Sequence, residues 1–255
     1  MVLLATAYFP PIGYVAAIAN ECRFNPGRTE VEPAVVYIEA CEHYAKQSWR
    51  NRCRFYAADG AQTLSYPVCH EDFGKPISRM RIDWKTGWLT RHKRAIVSAY
   101  RTSPYFEYYQ DELFAILDAR PELMLDFNTG ILRFFLRKAG VPAELRFTKE
   151  WVAPANDPCT PPSHSTLTGG SLAGSQKSQN TLQDASEVTF PDGMAALDLR
   201  EAIHPKRPDA ILRDLGLSKP YWQVFSPRHG FIPNLSIMDL LFNEGPDSIS
   251  YLKKL

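Results

Sequence analysis

The chain starts with VLLATAYF, an apolar run of strand length, breaks at PPIGY, and resumes as VAAIANE, whose apolar residues recur on one side of a helix. A buried strand turned abruptly into a helix commits the chain to an α/β domain, because each element must bury its apolar face against another layer. AVVYIEA, CRFYAA, TLSYPV and SRMRID follow, rich in Val, Ile, Tyr and Phe and bounded by Gly, Pro or Asp, and these read as strands. From Arg91 to about Ala139 the period changes. Ile96, Ala99 and Tyr100, then Phe106, Tyr109, Leu113, Phe114 and Leu117, then Leu132, Phe135 and Leu136 stand three and four apart, which predicts two or three amphipathic helices. Ser103 reads as an N-cap with Pro104 in the first turn behind it, and AELRF as a last strand.

Composition then divides the chain. Residues 155–187 are rich in Ser, Thr, Gln, Gly, Asn and Pro and hold no aromatic residue, so they cannot bury enough apolar area to offset the entropy of ordering them. The expected organisation is an α/β core domain over residues 1–153, a disordered insertion over 154–190, and a C-terminal segment, 191–255, packed on the core. Order is expected to resume near Leu197, with AALDLREAIHP as a short helix stopped by Pro205. In the tail, Leu235, Met238, Leu241 and Phe242 form a helical stripe that Asn234 or Ser236 caps and Gly245-Pro246 stops, and DSISYLKKL closes the chain as a second short helix. The fold class is α/β: a single Rossmann-like sheet domain with a helical middle region and a C-terminal helical tail.

The chain is 45% apolar and 12% aromatic, enough for a substantial core, yet no apolar run reaches the roughly 18–20 residues that a spanning helix needs. Without a membrane span or a signal peptide, the expected location is cytoplasmic. The five cysteines are an odd set with no C-x-x-C pair, which argues against a disulfide framework and a zinc knuckle. The net charge of +1 conceals an asymmetry: Lys46 to Arg101 holds twelve Lys or Arg against four acids, +8, which leaves −7 for the rest. Such a block is either a solvated basic surface or a face for an anion. The chain carries no recognised nucleic-acid module and its overall charge is near zero, so nucleic acid is not the expected partner.

The densest part of that block is CEHYAKQSWRNRCRF, a short connection between two strands. Lys46, Arg50 and Arg52 are cations suited to phosphate or carboxylate, and Asn51 offers donors and an acceptor to a sugar or amide. His43 is either a general base or the partner of a nearby carboxylate, Glu39 or Glu42. Arg91, His92, Lys93 and Arg94 open a helix, where cations oppose the dipole unless an anion joins them; His92 is the second candidate base. The loop after the first strand, flanked by Tyr8 and Tyr14, reads first as a rigid turn that packs both tyrosines in the core, and otherwise as a site, since open α/β sheets bind ligands there. It has no G-x-G-x-x-G, no Walker sequence and no H-x-G-H, so no cofactor is expected there. In the tail, Asn234 and Asn243 are ligand candidates. Asp239 lies between core positions, either as a catalytic carboxylate or in a salt bridge to an arginine at 50, 52 or 54. Asp126 and Asn128 read as caps of the following helix. His92, His204 and His229 are isolated, with no metal-ligand spacing, and G-x-S-x-G is absent.

AYFPPIGY after the first strand, EHYAKQSWRNRCRF, WLTRHKRAIVSAYRTSPYFEYY, LMLDFN and the terminal LSIMDLLFNEGP, in this order and spacing, resemble the WbqC-like family of bacteria over about residues 1–153 and 203–254. Thr6-Ala7 stand where that family usually has a Gln before its Pro or Tyr. The resemblance implies a role in surface-polysaccharide (O-antigen) biosynthesis, on nucleotide-linked amino sugars. The function expected is acyl or aminoacyl transfer to the sugar amine, the basic block holding the diphosphate and His43 or His92 taking the proton. The alternative is a non-catalytic binding or assembly protein that docks through the same basic face.

Overall fold

The computed structural model describes residues 1–24, 31–154, 185–190, 193–206, 210–217 and 219–253. The chain runs β1 (Val2–Ala5), α1 (Ile12–Glu21), β2 (Arg23–Phe24), β3 (Val31–Glu32), β4 (Ala34–Glu39), β5 (Arg52–Ala57) and β6 (Gly60–Ser65). The helical middle follows as α2 (Trp88–Tyr100), α3 (Phe106–Asp118) and α4 (Met124–Lys138), then β7 (Ala143–Phe147), β8 (Glu187–Thr189) and β9 (Ala195–Asp198). The tail is α5 (Ala210–Asp214), α6 (Ser226–His229), α7 (Ile237–Glu244) and α8 (Ser248–Leu252).

The central sheet has the order β7-β4-β1-β9-β8. β1 lies parallel to both β4 and β9, β4 is parallel to β7, and β8 is an antiparallel edge. From β1 the chain moves outward through β4 to β7, then returns to place β9 on the other side of β1. That reversal is a topological switch point, where open sheets leave a crevice at the carboxyl ends of the strands. β5 and β6 form a separate hairpin.

Helix α1 is buried from Ile12 to Ala19, consistent with an apolar helix enclosed on several sides. Its N-terminus has no side-chain cap from Pro11. Instead the tail supplies the acceptors: Ile12 N–H donates to the Leu235 carbonyl (2.9 Å) and Gly13 N–H to Asn234 Oδ1 (2.7 Å). Ile237 N–H returns a bond to the Pro10 carbonyl at 2.8 Å, and Ser236 N–H donates to the Arg54 carbonyl at 2.8 Å. A Cβ on Gly13 would stand 3.2 Å from Asn234 Oδ1, so the close approach favours glycine. The opening loop, the tail and β5 are thus locked at one point by backbone pairing. Ser236 caps α7, accepting from Met238 N–H, and the apolar stripe of Leu235, Met238, Leu241 and Phe242 is fully buried. Gly245 (φ 56°) ends α7, and a Cβ there would meet the Tyr105 ring at 2.5 Å.

Some expectations are corrected. AALDLREAIHP is not a helix: Ala195–Asp198 is strand β9, since a short apolar run takes its conformation from the partner available, here the free side of β1. Strand β8, Glu187–Thr189, stands ahead of Leu197; the bulk of the Ser/Gly-rich segment, residues 155–184, lies outside the described residues. SRMRID forms a 3-10 turn over Ile77–Arg79 and isolated bridges from Arg81 and Ile82. Tyr105, not Ser103, precedes the first turn of α3, and Leu123 precedes α4, so neither Asp126 nor Asn128 is its cap. Among the described residues no helix is long and apolar enough to cross a membrane.

Candidate functional site

The connection from β4 to β5 separates two environments. On the inner side, Arg50 grips Glu42 with both arms, Nε to Oε1 at 2.8 Å and Nη2 to Oε2 in a short contact. Both residues are buried, and burial pushes the Glu42 carboxyl up even though Arg50 opposes the shift. Beside them Glu39, at the carboxyl end of β4, accepts from Cys41 N–H (2.9 Å), Thr148 Oγ1 (2.6 Å), Val152 N–H (3.2 Å) and Arg200 Nη1 (3.1 Å). Arg200 also clasps Asp198 at the end of β9, Nε to Oδ1 at 2.9 Å and Nη2 to Oδ2 at 2.7 Å. These pairs tie β4, β7 and β9 together at the switch point. The crevice there, lined by Thr6, Tyr14, Ser48, Arg50, Arg200 and His204 among others, has about 10 Å³ of free volume, room for about one water. It is a closed floor, too small to seat a sugar.

The outer side is open. A cleft of about 480 Å³, within the roughly 300–1,000 Å³ of small-molecule sites, is lined by residues from the β4–β5 connection, β6 and the start of α2. Tyr44 stacks on Phe73 (5.9 Å, 6°), and Lys46 Nζ lies 4.9 Å over the Phe73 ring. Across it, Tyr66 stacks on Trp88 at 5.2 Å. Asn51 is fixed by Nδ2, which donates to the Tyr66 carbonyl (2.7 Å) and reaches Ser65 Oγ (3.4 Å). Arg91 and His70 complete the polar lining. Among the described residues neither Lys46 nor Arg91 has a carboxylate partner, so the cleft carries two uncompensated cations, with the accessible Tyr44–Phe73 pair on one side and the buried Tyr66 and Trp88 rings beneath.

Asn128 joins the two sides. Buried in α4, it donates to the Arg50 carbonyl (2.7 Å) and reaches Thr6 Oγ1 at 3.2 Å, while its Oδ1 accepts from Tyr66 at 3.1 Å. Tyr8 is fully buried behind this contact, 2.9 Å from His92 Nδ1. His92 also bonds the Ser65 backbone, and burial lowers its pKa to about 4, so it stays a neutral imidazole inside an aromatic cluster of Tyr8 and Trp88.

A family model described as the WbqC-like protein family matches residues 6–251. The chain belongs to the WbqC-like family. It is also 25% identical over 258 residues to the uncharacterized protein Rv1507c of Mycobacterium tuberculosis (strain ATCC 25618 / H37Rv), across 98% of this chain and 96% of the relative. No solved structure matches.

In this WbqC-like chain the structure gathers Lys46, Asn51 and Arg91 in the open cleft and places Tyr14 and Arg50 at the closed crevice. Arg52 is half-buried on β5, and among the described residues its Nε has no partner. His43 is exposed, held by a backbone bridge to Pro76, and lines neither cavity. Asn234 caps α1, and Asn243 Nδ2 donates to the Asp239 carbonyl at 2.8 Å, so both amides serve the interior. The expected salt bridge between Asp239 and an arginine at 50, 52 or 54 is not formed. Arg50 goes to Glu42, and Asp239 takes Tyr221, Gln223 Nε2 (2.9 Å) and Tyr100 as neutral donors. Burial raises its pKa to about 6. Glu39, Glu42, Arg200, His70, His204 and Asn128 carry no local motif, and Asp198-x-Arg200 is hidden in a stretch whose sequence reads as helix. Among the described residues no three His, Cys, Asp or Glu side chains form a metal-binding group.

Proposed function

We propose that the open cleft binds a nucleotide-linked amino sugar and that the protein transfers an acyl or aminoacyl group to the sugar amine in surface-polysaccharide (O-antigen) biosynthesis. The observation that supports this most is the meeting of Lys46 and Arg91, neither with a carboxylate partner among the described residues, with the accessible Tyr44–Phe73 stack and a pinned amide. Cations suit the diphosphate, the accessible edge of the Tyr44–Phe73 pair suits a base or sugar ring, and Asn51 supplies directional hydrogen bonds. A solvated basic surface would need no such stack.

In this reading the amine nitrogen attacks the carbonyl carbon of an activated acyl donor. The new C–N bond forms, the bond to the donor's leaving group breaks, and the amine proton passes to His70, the imidazole that lines the cleft. His70 thereby takes the part expected of His43 or His92. The Glu42–Arg50 pair acts from below as a positioning element, since it anchors the backbone on which Asn51 stands.

Calorimetric titration with nucleotide sugars, matched nucleotides and free sugars tests the reading. Loss of one charge-assisted contact costs about 1.5–3 kcal/mol, so Lys46→Ala and Arg91→Ala should each weaken nucleotide-sugar binding about 10- to 100-fold. His70→Ala should reduce transfer to the amine and leave that binding in place. Failure of every nucleotide sugar to bind at millimolar concentration would overturn it.

A further inference from the structure

Helix α2 carries cations on more than one face. Arg91 faces the cleft described above, whereas Lys93, Arg94 and Arg101 line a separate groove against the end of α3, where Arg120 joins them. This groove, about 570 Å³, is larger than the cleft. Its apolar part is Leu89 and Val97; among the described residues Asp118 is the one carboxylate lining it, and Lys93 Nζ holds that group at 2.6 Å. Among the described residues Arg94, Arg101 and Arg120 have no side-chain partner, which leaves the groove with an excess of three positive charges.

Two features set it apart from an ordinary solvated helix face. First, α2 contains no acidic residue, so its cations are not laced by the i, i+4 pairs that usually neutralise an exposed helix. Second, Arg120 has φ 46°, a left-handed conformation that costs a residue with a Cβ and that Gly or Asn would adopt more readily. Arg120 directly follows the C-cap of α3, where helices often end in a left-handed residue that is usually Gly, and here the position puts a cation on the groove.

We propose that the groove between α2 and α3 is a second anion site, for a small ligand bearing adjacent phosphate groups and an apolar or planar portion. Three guanidinium groups lining one groove suit clustered phosphate oxygens through bidentate bonds, and the Leu89–Val97 part accepts a non-polar portion. A bounded groove fits a compact diphosphate better than a nucleic acid, because the rest of the chain is net negative. The shared chemistry is a diphosphate, whether on a free nucleotide or on a phosphorylated acyl carrier. The site stands on its own geometry and holds whether or not the first cleft binds a nucleotide sugar.

The test is calorimetry of the full chain at low salt with three probes, pyrophosphate, ADP and coenzyme A. All three should bind, and Arg94→Ala/Arg101→Ala should weaken binding at this groove at least tenfold, while Arg79→Ala, an exposed cation that lines neither cavity, leaves it unchanged. Tighter ADP than coenzyme A assigns a free nucleotide, and the reverse assigns the acyl carrier. Arg120→Gly, which keeps the left-handed backbone and removes the charge, should also lower affinity, without a loss of thermal stability that would signal misfolding. The proposal fails if no probe binds at millimolar concentration, if the double variant binds as the parent does, or if Arg79→Ala weakens binding in the same way.

Discussion

His92 and Asp239 are buried groups whose titrations oppose each other. His92 has its pKa lowered to about 4, below the ordinary value, so protons favour the unfolded chain; its contribution to stability is present above about pH 6.5 and is lost as pH falls toward 4. Asp239 has its pKa raised to about 6, so its contribution is present below about pH 4 and is lost as pH rises through 6. Each shift corresponds to about 3 kcal/mol, so within pH 4–6 the two largely offset. His92→Gln should therefore gain stability on acidification relative to the parent across this window, and Asp239→Asn should lose it. Urea denaturation at pH 4, 5 and 6 reads both slopes; equal slopes in all three proteins would show that neither group titrates as its burial implies.

The elements hold together through a junction of opening loop and tail. Asn234 has φ 51° and its side chain caps α1. Asn234→Gly removes the cap at a cost of about 1 kcal/mol and keeps the backbone relaxed, while Asn234→Ala adds left-handed strain and should cost about 1 kcal/mol more. Equilibrium urea unfolding should rank them in that order, and equal losses would mean the strain is relieved elsewhere. On α7, Leu241 is fully buried, so Leu241→Ala should cost about 2–5 kcal/mol in the same measurement, and a near-neutral change would make the tail peripheral. Helices α2 to α4 and α7 are legible in the sequence because a 3.6-residue period sustained over several turns suits a helix and no other regular element. β9 is not, because Ala195–Asp198 is too short to show a period and its identity as a strand is decided by β1, far away in sequence. The α1 cap is equally hidden: Asn234 lies 221 residues from Gly13.

At the scale of the molecule, one segment faces two ways: Arg50 closes the switch point from within, and Lys46 and Asn51 face an open cleft. Sequence identifies this segment as rich in donors and cations, but residue type does not tell direction. Which cation turns inward depends on Glu42, Glu39 and Arg200 meeting at the strand ends, and that meeting is a product of topology. The central claim, that the cleft is a ligand site and the inner arginine is structural, separates cleanly in one paired measurement: urea stability and nucleotide-sugar affinity for Arg91→Ala beside Arg50→Ala. Arg91→Ala should keep the parent's stability to within about 0.5 kcal/mol, as surface changes do, and bind at least tenfold more weakly. Arg50→Ala should lose about 3–5 kcal/mol of stability because Glu42 is left buried without its partner. The contrary result, an Arg50→Ala protein as stable as the parent and an Arg91→Ala protein that binds as well as the parent, would contradict the assignment of both faces.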